Sequence, residues 1–161
     1  MNALKHFLGT GFYSGLIPKA PGTAGSTVAV FIIFGIIYAQ VYPWLLLFLI
    51  LTSLISFWVT PYFEQEFGND PELMVIDEWA GQSMTFIVIS FTGNLQTDII
   101  ILLTGFIFFR IFDILKPLGI NKLQNLEGWF GILADDLLAG LYALICLKTL
   151  IFTWPNLFGM T

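Results

Sequence analysis

The sequence predicts an all-α fold: a membrane-embedded bundle of about five short helices, led by an interfacial helix and joined by polar cytoplasmic loops. Three observations predict it. Apolar residues fill 57% of the 161 positions and charged residues only 11%. Mean hydropathy is +0.86. The apolar positions fall in helix-length runs separated by short stretches of Gly, Pro and charge. A soluble surface needs roughly a quarter to a third of its positions charged. Six basic and eleven acidic side chains cannot cover a globule, but they suffice for the two ends of a bundle in lipid.

The elements follow in order. Leu4, Phe7 and Leu8 lie on one face of a short interfacial helix. Gly9, Gly11, Gly15 and Pro18 break that stretch, so despite the early Lys5 it does not read as a cleavable signal peptide. A crossing takes ~20 apolar residues, fewer where polar ends reach a cavity. Span one covers 26–42 and is punctuated by Pro43. Span two covers 44–60, so the two form an antiparallel hairpin. Residues 61–71 are polar. Span three runs from about 74 to 91, with Asp77 and Glu78 in its first turns. The turn Thr92-Gly93-Asn94 leads to span four, 98–113; a polar stretch follows, and span five covers 129–152. The whole is one domain: 1–25 interfacial helix and phosphate-binding loop, 26–152 bundle, 153–161 tail. Cys146 sits in an apolar run and reads as a small apolar side chain.

With five spans, the amino terminus and the loops 61–71 and 110–128 share one side. That side holds Lys5, Lys19, Arg110, Lys116 and Lys122, against Lys148 within the last span. The positive-inside rule makes it cytoplasmic. No basic patch exists to neutralise nucleic-acid phosphates.

The same parity gathers the unusual polar groups on that face. Asp77 and Glu78 open span three, Asp113 closes span four, and Asp135 and Asp136 lie early in span five. Carboxylates at such positions are costly unless they face a cavity and meet cations. Some sit near helix amino termini, where an anion is favoured in any case. Capping does not require acidic pairs on two helices, whereas an oxygen-rich cluster suits Mg²⁺. Arg110, Asp113 and Lys116 are spaced by three along one helix face. They read either as a boundary salt bridge with snorkelling cations or as a phosphate-binding guanidinium beside a metal ligand. Residues 18–26, with Lys19, Gly22, Thr23, Gly25 and Ser26, run into span one. Glycines, hydroxyls and a helix amino terminus make an anion cradle there. It is not a Walker A loop.

Several chemistries are closed. His6 is the single histidine, so multi-histidine phosphatases and His-dependent zinc sites do not fit. No Cys-x₅-Arg loop, DxDx[TV] motif or CDP-alcohol phosphotransferase signature occurs.

Four segments together resemble the phosphatidylglycerophosphatase A family. They are Ala20-Pro21-Gly22-Thr23-Ala24-Gly25-Ser26, Val75-Ile76-Asp77-Glu78-Trp79-Ala80-Gly81, Phe109-Arg110-Ile111-Phe112-Asp113-Ile114-Leu115-Lys116-Pro117 and Gly131-Ile132-Leu133-Ala134-Asp135-Asp136-Leu137-Leu138-Ala139-Gly140. The resemblance spans about 9–142 and implies an all-α, Mg²⁺-dependent membrane phosphatase that converts phosphatidylglycerophosphate into phosphatidylglycerol. Trp79 replaces a small aliphatic residue of the family pattern. Asn69-Asp70-Pro71 stands where a histidine is often found, which leaves the role of Asp70 open.

The expectation is hydrolysis of a phosphate monoester on a lipid headgroup at the cytoplasmic face of a bacterial plasma membrane. Asp77, Glu78, Asp113, Asp135 and Asp136 supply metal ligands and one base. Arg110 and Lys116, with Lys19, Gly22, Thr23, Gly25 and Ser26, meet the phosphate. Ligand and base are not separable among the five, and water attack is preferred over a covalent aspartate. The rival is a small ion or anion transporter, whose site should lie near mid-membrane. Oligomeric state is not legible.

Overall fold

The computed structural model describes residues 2–69, 71–117, 119–124 and 129–159, with backbone alone at 122, 124 and 129. Asp70 and the 125–128 part of the linker lie outside the described residues. All regular structure among the described residues is helical: α1 (Asn2–Gly9), α2 (Pro21–Tyr38), α3 (Pro43–Phe67), α4 (Ile76–Phe86), α5 (Leu95–Leu115), α6 (Ile120–Gln124) and α7 (Trp129–Thr153). The helical-bundle expectation holds. Among the described residues three helices are long and apolar enough to cross a membrane: α2, α3 and Phe130–Thr153 of α7. The 21-residue α5 has comparable length but carries Asp98, Arg110 and Asp113.

Three boundaries differ from the sequence reading. First, α2 starts at Pro21, so Gly22–Ser26 is helix rather than loop. Proline at the first helical position has φ preset and no N–H to leave unpaired. Second, α3 continues through Pro61 to Phe67. Buried Phe63 pulls the segment onto the core, and packed neighbours let a helix in an apolar setting tolerate an internal proline. Third, α4 has 11 residues, about 16 Å of helix, and stops well short of Phe91. The largely non-helical 87–94 completes that leg. Its end is tied to α5, because Asp98 Oδ1 accepts from Thr92 N at 2.8 Å and Asp98 Oδ2 from Gly93 N at 3.0 Å. Asn94 then caps α5 by accepting from Thr97 N.

Short α4 is the centre of the bundle, packed on α7, α3 and α2. Glycines set the distance. A Cβ on Gly81 of α4 would meet the Asp136 carbonyl of α7, and one on Gly140 would meet the Gly81 carbonyl. Bare glycine surfaces let helix backbones approach closely in an apolar setting. Trp79 fills the neighbouring core, with Phe12 edge-on at 5.1 Å and Phe48 at 6.0 Å. On the amino-terminal side, α1 packs on α3, with His6 stacked on Phe63 and Lys5 over Trp58.

Candidate active site

The Gly81–Gly140 crossing brings the start of α4 against the early turns of α7. The antiparallel run of α5 brings its carboxyl end to the same layer. One consequence is a cavity of about 80 Å³ lined by Asp77, Glu78, Asp113, Lys116, Asp135 and Asp136, with Pro71, Glu72, Met74 and Ile132 completing its wall. That volume holds several water molecules. All five expected carboxylates therefore meet, from three helices separated by up to 59 positions in sequence.

Two cation-centred clusters border it. In the first, Arg110 Nη1 contacts Asp113 Oδ2 at 2.6 Å and Glu78 Oε2 at 3.4 Å, and donates to Ser26 Oγ at 3.2 Å. Ser26 Oγ in turn donates to Glu78 Oε2 at 3.1 Å. The guanidinium Nε–H is buried with no acceptor among the described residues, a donor left over for an anionic ligand. In the second, Lys116 Nζ contacts Asp135 Oδ2 at 2.5 Å. Burial works against the Lys116 charge. The hydrogen bond and charge of Asp135, reinforced by Asp136 and Asp113, outweigh it and hold the ammonium above the ordinary lysine range.

The acidic pairs also shape their own backbones. Asp77 Oδ1 accepts from Glu78 N at 3.1 Å and Asp135 Oδ1 from Asp136 N at 3.0 Å. Asp77, Asp135 and Asp136 are nevertheless buried and Glu78 half-buried, and among the described residues the five carboxylates outnumber Arg110 and Lys116. Buried carboxylates need compensation, and hard oxygen donors around a small wet cavity match what Mg²⁺ accepts. The donor chemistry fits, although no group of three His, Cys, Asp or Glu is spaced as a finished ligand set among the described residues.

The remaining expected phosphate contacts divide. Ser26 joins the cluster directly. Gly22 and Gly25 lie inside α2, where a Cβ on Gly22 would collide with the Glu78 carboxylate and one on Gly25 with Val75. They admit α4 rather than form a loop cradle, and the anion facing that part of α2 is Glu78 itself. Thr23 lies in the first turn, its carbonyl accepting from Thr27 Oγ1. Lys19 is exposed, ahead of the helix.

Sequence reasoning missed two residues. Glu72 lines the cavity just upstream of the acidic motif; its adjacency to that motif was the available signal. Gln82, one turn beyond Glu78, is fully buried with neither amide atom hydrogen-bonded among the described residues, and nothing in the local sequence marks it.

The Phosphatidylglycerophosphatase A family model matches residues 7–151. Similar proteins include Phosphatidylglycerophosphatase A of Haemophilus influenzae, 37% identical over 145 residues (87% of this chain, 84% of that one). Phosphatidylglycerophosphatase A of Escherichia coli is 32% identical over 154 residues (93% and 85%). A Bacteroides thetaiotaomicron protein named "Putative phosphatidylinositol-3-phosphatase" is 35% identical over 142 residues (86% and 87%). No solved structure matches. With the matched region containing the cavity's five expected carboxylates together with Lys116 and the neighbouring Arg110, the chain belongs to the phosphatidylglycerophosphatase A family.

Proposed function

We propose that this protein is a Mg²⁺-dependent phosphatase of phospholipid synthesis that hydrolyses phosphatidylglycerophosphate to phosphatidylglycerol and phosphate. It would act at the cytoplasmic face of a bacterial plasma membrane. The observation that carries the reading is the Arg110–Ser26–Glu78–Asp113 network beside a carboxylate-lined cavity. In this reading Arg110 grips the phosphoryl oxygens with its planar fork, helped by Ser26, the first turn of α2 around Thr23, and Lys116. Gly22 and Gly25 supply space, and exposed Lys19 stands outside the cluster. Asp77, Glu78, Asp113, Asp135 and Asp136 would hold the metal ion, with one of them orienting or deprotonating the attacking water. Bound Mg²⁺ supplies neutralisation of the charge on these carboxylates and on the phosphoryl oxygens.

An ion transporter would place its carboxylates near mid-membrane. Here they share one end of the bundle, and Asp98 at the far end is consumed in the turn before α5. The name of the Bacteroides relative supports a second headgroup, a phosphoinositide. The test is phosphate release by purified protein in mixed micelles from phosphatidylglycerophosphate and phosphatidylinositol 3-phosphate, with Mg²⁺ or EDTA. Mg²⁺-dependent release from the former is expected. Release from neither sinks the reading, and preference for the latter replaces the substrate.

A further inference from the structure

Between α2 and α5 lies a cavity of about 280 Å³, separate from the acidic one. Thr27, Val30 and Phe34 form one wall; Ile99, Leu103 and Phe106 form much of the other. Its single hydroxyl among these, on Thr27, is already spent on the Thr23 carbonyl at 2.7 Å. Nothing in this wall recognises a headgroup, so the chemistry suits only a hydrocarbon.

Its placement is more informative than its size. Thr27 follows Ser26, and Phe106 lies one turn before Arg110; Ser26 and Arg110 are bonded to each other at 3.2 Å. The groove therefore begins next to the pair proposed to meet phosphate. The two helices are antiparallel there, so α2 leads away from Ser26 through Val30 to Phe34 while α5 leads away from Arg110 back to Ile99. Phe34 is about 12 Å and Ile99 about 16 Å along their helices from those two residues. A glycerophospholipid has this layout: a charged phosphate end and an apolar chain leaving it in one direction.

Building on the proposed activity, we infer that the α2–α5 groove holds one acyl chain of the phospholipid substrate, with its mouth at Thr27 and Phe106 and its far end at Phe34 and Ile99. Lipid tails are as apolar as the groove walls, so moving a chain from bilayer to groove gains little free energy. The groove's contribution is registration. A seated chain fixes the depth and direction of the headgroup relative to Arg110, and orientation of this kind governs rate more than affinity.

The experiment plugs the far end. Ile99→Trp is assayed with phosphatidylglycerophosphate carrying dioleoyl or dihexanoyl chains, and thermal unfolding is measured alongside. A chain seated in the groove predicts a fall in kcat/KM for the dioleoyl substrate of about tenfold or more, with the dihexanoyl substrate, which stops short of Ile99, unchanged. Leu103→Trp, on the exposed rim, repeats the test nearer the mouth if the first variant fails to fold. Equal losses on both substrates, or no loss on either, overturn the inference. An activity-independent arm uses the parent protein and substrate with a photoreactive group at the chain end. Labelling of α2 and α5 is expected, displaced by unlabelled substrate but not by phosphatidylcholine of the same chains. Labelling elsewhere, or equal displacement by phosphatidylcholine, shows ordinary bilayer lipid and overturns it as well. A parent that hydrolyses neither ester defeats the activity reading. One that hydrolyses both while the plugged variants keep the chain-length ratio defeats the groove alone.

Discussion

The Glu78 carboxylate rests against the bare Cα of Gly22, so close that a methyl group there would collide with Oε1. The same carboxylate is held by Ser26 and Arg110, so it has little freedom to step aside. Gly22→Ala should therefore displace Glu78 while the helix itself gains from alanine's better propensity. The expected result is activity reduced about tenfold or more, with the propensity gain partly offsetting the cost of the collision so that the melting temperature falls only slightly. Gly81→Ala makes the contrast: its methyl meets the Asp136 carbonyl and the Phe109 ring, and overpacking should lower stability by about 1–3 kcal/mol. Parent-like activity in Gly22→Ala would show that the position of Glu78 is immaterial.

Arg110 either neutralises Asp113 or grips phosphate, and lysine separates the two. Arg110→Lys keeps the charge but loses the planar fork. Losing one charge-assisted bond to the reacting group costs on the order of 2–4 kcal/mol, or roughly 30- to 1000-fold in rate. Steady-state hydrolysis should fall in that range with thermal unfolding nearly unchanged. Efficiency within about threefold of the parent, a difference under 1 kcal/mol, leaves Arg110 a structural partner only.

Among these boundaries and contacts, what the sequence could show depended on which signals had a single meaning. Carboxylates embedded in apolar runs have few harmless explanations, so Asp77, Glu78, Asp113, Asp135 and Asp136 stood out, and one cavity holds them all. Glycine has two meanings, an open loop whose amides face an anion or a close approach of helices, and at Gly22 and Gly25 the sequence suggests the first while the structure shows the second. The polar residues of 61–71 put the end of span two at 60, because polarity is a local signal; the burial of Phe63 that carries α3 on to Phe67 is not. The apolar run 87–91 continues the pattern of α4 without being helix, since hydrophobicity reports burial and not backbone shape. Gln82 gave no signal because an isolated amide is ordinary on any exposed helix face.

Asp77→Asn and Asp136→Asn remove one negative charge each from a crowded, buried set without changing side-chain volume. Stability should hold or rise as repulsion falls. Phosphate release should drop on the order of 100-fold. Chelation by EDTA should reduce the parent to a similar level, with recovery on adding Mg²⁺. Either variant turning over like the parent at saturating Mg²⁺ removes that residue from the metal-binding assignment.

Lys116 holds Asp135 in place at 2.5 Å. Lys116→Met removes the cation from this part-buried pair and should destabilise the protein by about 2 kcal/mol. Its elevated pKa keeps it charged throughout neutral and mildly alkaline pH, so this contribution is full below the ordinary lysine range and fades only above it. A melting temperature equal to the parent's at pH 7 refutes the pairing.

The leg formed by α4 and 87–94 carries the chain from the acidic layer to the start of α5. At the far end, a Cβ on Gly159 would lie 3.2 Å from Thr97 Oγ1. A reporter inserted at Asn121 should accordingly read cytoplasmic and one fused to the carboxyl terminus external. Both on one side would break the arrangement.

An 11-residue helix also constrains how the protein is made. At about 16 Å, α4 cannot hold itself across roughly 30 Å of hydrocarbon, and it carries two acids at its leading end. Its partner across the Gly81–Gly140 contact is α7, the last long helix to be synthesised. Until α7 arrives, α4 has α2 and α3 beside it but neither its main packing partner nor the Lys116–Asp135 layer. Translation therefore supplies α2 to α5 before the candidate site can close around Asp135 and Asp136. A nascent chain stopped before Trp129 would lack Asp135 and Asp136 of the candidate site.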